Sequence, residues 1–126
     1  MALTRPALLR ARPVLEETTL DLREIPHEAL ALTTMASGRL CLSLSESVEW
    51  DGFPAYADSF LTALGGKKTG TADAADARLW EVTIDGQQLR LVFDDFPVMV
   101  SLESADPLGD AVLRSLYQVL SMRQQP

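Results

Sequence analysis

Five carboxylates stand close together late in the chain: Asp94, Asp95, Glu103, Asp106 and Asp110. Paired carboxylates can act as general acid and base, and several together can hold a hard cation. Each also has a simpler structural use. Asp94 and Asp95 read as turn residues ahead of Phe96-Pro97. Asp106 stands before Pro107 at a helix start, and Asp110 falls in the first turn, where the helix dipole favours negative charge. The group is therefore read as the edge of an acidic contact surface. No catalytic, cofactor-binding or metal-binding residue is assigned to it.

The other reactive residues are isolated. His27 is the sole histidine, so a catalytic pair would have to use it, yet it falls in the stretch with the weakest structural signals, beside Pro26. Cys41 is the sole cysteine, which excludes an internal disulfide and a cysteine-based zinc site, and its place in an alternating run suits a small apolar residue. Gly65-Gly66-Lys67-Lys68-Thr69-Gly70 has the look of a phosphate loop, but Lys68 occupies the hydroxyl position and the segment follows a helix instead of a strand. It reads as a helix stop and a basic loop. Trp50, between Glu49 and Asp51, is different: a partly exposed indole flanked by acids can anchor a partner. The candidate partner-binding residues are thus Trp50, Asp94, Asp95 and Glu103.

The elements that must carry them follow from periodicity. Leu40, Leu42 and Leu44 alternate with Cys41, Ser43 and Ser45, the period of a half-buried strand. Phe53, Tyr56, Ala57, Phe60, Leu61 and Leu64 form one apolar stripe at helical spacing, with Pro54 at its start and Gly65-Gly66 as its stop. Lys67 to Ala77 reads as a polar loop. Two alternating runs, Trp80 to Ile84 and Leu89 to Phe93, flank Asp85-Gly86 and predict a hairpin. A third run covers Val98 to Leu102, and an apolar stripe from Leu108 to Leu120 predicts the last helix. The expected fold is α+β: strand, helix, three-stranded meander, helix, with two helices packed on one face of an antiparallel sheet.

Residues 1–39 are read as an N-terminal arm, partly disordered or loosely packed, because Pro6, Pro13 and Pro26 interrupt each candidate helix. Residues 40–126 are read as the single α+β domain. Met35 sits near this boundary, which leaves a natural start there open, and removing residues 1–34 is expected to leave the thermal midpoint nearly unchanged.

Charge divides at the same place. The chain of 126 residues has net charge -7, with 11 basic and 18 acidic residues. Residues 1–39 hold five of each, so the whole deficit lies in residues 40–126. That balance argues against nucleic acid, which calls for clustered Lys and Arg. No apolar run is long enough to span a membrane, and none matches a signal peptide. A cytoplasmic location is expected.

Phe53-Pro54, Leu64-Gly65-Gly66, Phe93-Asp94-Asp95-Phe96-Pro97 and Val100-Ser101-Leu102-Glu103 resemble small bacterial domains of unknown function. Residues 53–120 also resemble class I secretion chaperones, small acidic dimers that hold an unfolded segment, although the chain ends where those chaperones add strands. These resemblances imply a fold and no activity. The reading is a non-enzymatic protein-binding module, an adaptor or immunity-type inhibitor, with a protein partner of basic character. A homodimer is open to it, as are a chaperone-like role and a small carboxylate-dependent enzyme. No cofactor is expected.

Overall fold

The computed structural model describes residues 22–123. Six strands make one antiparallel sheet: β1 (Ala31–Thr34), β2 (Leu40–Ser45), β3 (Lys67–Asp73), β4 (Ala77–Ile84), β5 (Gln87–Asp95) and β6 (Val98–Ser104). Their order across the sheet is β1-β2-β6-β5-β4-β3. Helix α1 (Phe53–Leu64) lies between β2 and β3 in the chain, and α2 (Pro107–Arg123) follows β6. None of the described helices is long and apolar enough to cross a membrane.

The local signals act as their chemistry dictates. Asp85 and Gly86 both have positive φ, 55° and 78°, the conformation a two-residue hairpin turn needs. Gly65 ends α1 at φ 69°, and the N–H of Gly66 donates to the Leu61 carbonyl at 2.9 Å. Asp106 caps α2 by accepting the Gly109 N–H on Oδ1 at 2.8 Å.

Register assigns the two faces of the sheet. Leu42, Leu102, Leu91 and Trp80 stand side by side on β2, β6, β5 and β4, and all four are buried. α1 reaches this face through Phe53, whose ring lies 5.7 Å from Trp80 and 5.8 Å from Phe93. α2 reaches it at Gly109, against the side chains of Leu89 and Ser104. Burial of this aliphatic and aromatic layer supplies the main driving force for folding.

Three sequence expectations need correction. The stretch from Lys67 is not a loop: residues 67–73 form β3, paired with β4 from Lys67↔Thr83 to Asp73↔Arg78. It is exposed almost throughout, so it has no buried face to impose alternation. Asp94 and Asp95 end β5, and the turn proper is Phe96-Pro97, joined by a cis peptide bond. The sheet also extends into the stretch read as an arm. Leu22 and Ile25 are buried in the core, and β1 pairs with β2 from Ala31↔Ser43 to Thr34↔Leu40. Residues 1–34 thus include an edge strand and two core side chains, so their removal cannot be neutral. Residues 1–21 of that stretch lie outside the described residues.

Polar ties fix this N-terminal portion. The Tyr56 hydroxyl donates to the Pro26 carbonyl at 2.6 Å. Glu28 accepts from the Ser45 hydroxyl at 3.0 Å and the Glu46 N–H at 2.8 Å. Partial burial opposes its charge, yet these donors hold its pKa below the ordinary value.

Asp110 ties α2 to the β1–β2 turn. Its Oδ1 accepts the Leu40 N–H at 2.9 Å, and its Oδ2 pairs with Arg39 at 3.2 Å. The Leu40 N–H, helped by Ser104, Arg39 and Arg114, holds its pKa below the ordinary aspartate value. A carboxylate depressed in the folded state stabilises above its ordinary pKa, and the effect fades as pH falls through the folded one. Wild type is therefore expected to exceed Asp110→Asn in urea midpoint at neutral pH. The gap should close in strong acid, which denaturation at stepped pH will read.

Candidate functional site

The face away from the helices carries a charged row. Cys41, Glu103, Arg90 and Glu81 are register neighbours across β2, β6, β5 and β4. Arg90 Nε donates to Glu81 Oε2 at 2.9 Å, and Gln88 reaches the other oxygen of Glu81 at 3.2 Å. Glu103 is half-buried. Burial raises its pKa, the Arg90 charge works against that rise, and Asp94 adds to it. Burial likewise pushes the Cys41 thiol up; a Ser101 hydrogen bond opposes this, and the charges of Glu103 and Asp94 add to it. That is the opposite of what a nucleophilic thiolate requires. A hollow of about 120 Å³ lies among Glu81, Gln88, Arg90, Glu103 and Ser104. Small-molecule sites typically enclose roughly 300–1,000 Å³, so this hollow suits water better than an organic substrate.

The second feature is one end of the sheet. Phe96, at the tip of the β5–β6 hairpin, is 91% exposed. Asp94 and Asp95 precede it, both exposed, and the Asp95 N–H donates to the Asp76 carbonyl at 2.9 Å. Burial raises the Asp94 pKa, and the nearby Asp76 charge raises it further. Three aspartates thus lie at the end of the sheet where the Phe96 ring is left in water.

Trp50 belongs to the same end but is not an open anchor. It sits half-buried in a short 3-10 turn, Trp50–Gly52, with its ring edge-on to Phe93 at 6.0 Å. The Arg78 guanidinium covers the ring at 5.0 Å and donates to the Trp50 carbonyl at 3.0 Å. Arg78 also pairs with Asp73 at 3.2 Å. Trp50 is a lid on the core, held from outside by a cation.

Of the residues singled out from sequence, Asp94 and Asp95 meet at the tip, with Trp50 at the same end of the sheet. Glu103 lies further along the open face, opposite Arg90. Sequence reasoning missed Phe96. Its signal was present, however: a large apolar residue between Asp-Asp and Pro has no strand or helix to bury it. Among the described residues, no group of three or more His, Cys, Asp or Glu side chains is placed to hold a metal ion.

Residues 30–121 match a family described as a protein of unknown function, DUF3630. The chain belongs to this family. The DUF3630 match runs from Leu30 to Ser121, taking in all six strands, α1 and most of α2. The DUF3630 region therefore includes β1, inside the stretch that sequence alone read as an arm. No curated protein and no solved structure matches the chain.

Proposed function

We propose that this chain is a non-enzymatic protein-binding module, an adaptor or immunity-type inhibitor of the bacterial cytoplasm, that meets a basic partner with its β5–β6 tip. The observation that carries the reading is Phe96, exposed at 91% and preceded by Asp94 and Asp95. Binding energy concentrates on a few large side chains that enter a pocket on the partner, while charges at the rim steer the encounter. Phe96 supplies the anchor, and Asp94, Asp95 and Asp76 supply the rim. Trp50 backs the tip through Phe93, and Glu103 extends the acidic character along the open face.

The raised pKa values of Asp94 and Glu103 favour one second reading, a carboxylate acid–base enzyme. The two readings separate in one set of measurements. Wild type, Asp94→Lys/Asp95→Lys and Phe96→Ala are used as baits in bacterial extract, and the purified partner is then followed kinetically. Charge reversal is expected to slow association at least about tenfold at low salt, with the difference shrinking as salt rises. Phe96→Ala is expected to speed dissociation, and neither change should move the thermal midpoint much. Partner kinetics unaffected by either change would end the binding proposal; a turnover lost with contacts intact would favour the enzyme.

A further inference from the structure

Strand β3 holds a pattern that the proposed tip does not use. Among the described residues it closes one side of the sheet, with β4 as its partner. It is seven residues long and exposed along nearly all of them, whereas β1 at the opposite edge has four. An exposed edge presents unpaired N–H and C=O groups to any other strand. The chain's two lysines, Lys67 and Lys68, are both on it, and Asp73 closes its far end.

Facing along β3 is set by its partners on β4. Lys68 pairs with Val82, then after an irregularity Gly70 pairs with Glu81, Thr71 with Trp80, Ala72 with Leu79 and Asp73 with Arg78. Counted in β4 positions, Lys68 and Asp73 are equally far from Thr71 and point to the same face. Lys68 Nζ lies 4.5 Å over the Trp80 ring, and Asp73 meets Arg78 on that same side. A two-fold axis perpendicular to the sheet, just outside the edge and level with Thr71, therefore makes the strand complementary to itself. Thr71 faces Thr71 of a second copy, Gly70 faces Ala72, and Lys68 faces Asp73, twice.

We infer that β3 is a homodimerisation edge, where two copies pair antiparallel into a continuous twelve-stranded sheet. Lysines and irregularities on an edge strand ordinarily discourage pairing. Here the lysine discourages pairing with an arbitrary strand but is answered by aspartate when the partner is a second copy, so the same charge that blocks aggregation selects the mate. The location also suits a chain of net charge -7. Copies repel over most of their surface and least where both lysines lie.

Sedimentation over a wide range of protein concentration tests this. Wild type is expected to double its mass at high concentration, and Asp94→Lys/Asp95→Lys to do the same, since the tip takes no part. Lys68→Glu alone and Asp73→Lys alone should each remain monomeric, because each sets like charges opposite one another at both contacts. An equal mixture of the two variants should regain the doubled mass, because both contacts then pair opposite charges. Hydrogen exchange of wild type gives a second measure: β3 amides should slow as concentration rises, while β1 amides should not. A wild type that stays monomeric throughout, a dimer indifferent to both single changes, or a mixture that fails to associate overturns the inference.

Discussion

Replacing Phe53 by alanine is expected to cost roughly 3–5 kcal/mol of folding stability, a large share of the roughly 5–15 kcal/mol typical of a domain. Phe53 is fully buried and touches both Trp80 and Phe93, so it joins the start of α1 to two neighbouring strands. Truncation removes the ring from that contact and leaves a cavity that two rigid aromatic neighbours cannot collapse to fill. Urea denaturation reads the loss, and the thermal midpoint should fall by roughly 4–8 °C per kcal/mol. Phe96→Ala is the matched control. It removes the same atoms from a side chain that is 91% exposed, and the change should lie within roughly 0.5 kcal/mol. A Phe53→Ala loss below about 1 kcal/mol would mean that α1 does not pack as described.

The second large effect is steric. A Cβ added to Gly66 would stand 2.9 Å from the Thr83 carbonyl oxygen, 3.0 Å from Ile84 Cγ1 and 3.0 Å from Leu61 Cδ2. The nearest of these is backbone in β4, so it cannot rotate away as a side chain could. Gly66→Ala therefore has to push β3 off β4 or α1 off the sheet, at an overpacking cost of roughly 1–3 kcal/mol. Gly52→Ala provides the contrast, because a Cβ there meets nothing within 4 Å and its φ is ordinary. It should be neutral or slightly stabilising, since alanine lowers the entropy of the unfolded chain. Equal effects at the two glycines, measured side by side by thermal melts, would refute close packing at the α1–β3 junction.

These two sites also mark how much was legible in the sequence. The stripe that includes Phe53, the Asp85-Gly86 hairpin and the Asp106 cap were readable because a buried face or a special dihedral constrains residue type. The antiparallel α+β class followed from them. β3 was not readable: with both faces in water, Lys67 to Asp73 obey no periodicity, and only backbone pairing to β4 makes them a strand. β1 was hidden for a related reason, since four residues, Ala31 to Thr34, are too few to establish a period. At the site, charge made Asp94 and Asp95 visible. Phe96 and the cover that Arg78 places over Trp50 depend on where strands end, which composition does not report. In the sequence Asp110 shows only its helix-dipole role, and its bond to Leu40 is a tertiary fact outside any local window.

That bond has a bearing on how the protein is made. Asp110 accepts the Leu40 N–H from 70 residues away, and β2 finds its central neighbour, β6, over a similar separation. β3 through β6 form successive hairpins that can close as soon as each is synthesised. β1, β2 and α1 emerge before them; β1 and β2 can close a hairpin of their own, yet β2 must wait for β6 before it joins the rest of the sheet. A non-local pairing of this kind forms slowly and leaves a strand edge exposed meanwhile. The β1–β2 hairpin is therefore made early and secured late, and the time until β6 arrives is its interval of greatest exposure to misassociation.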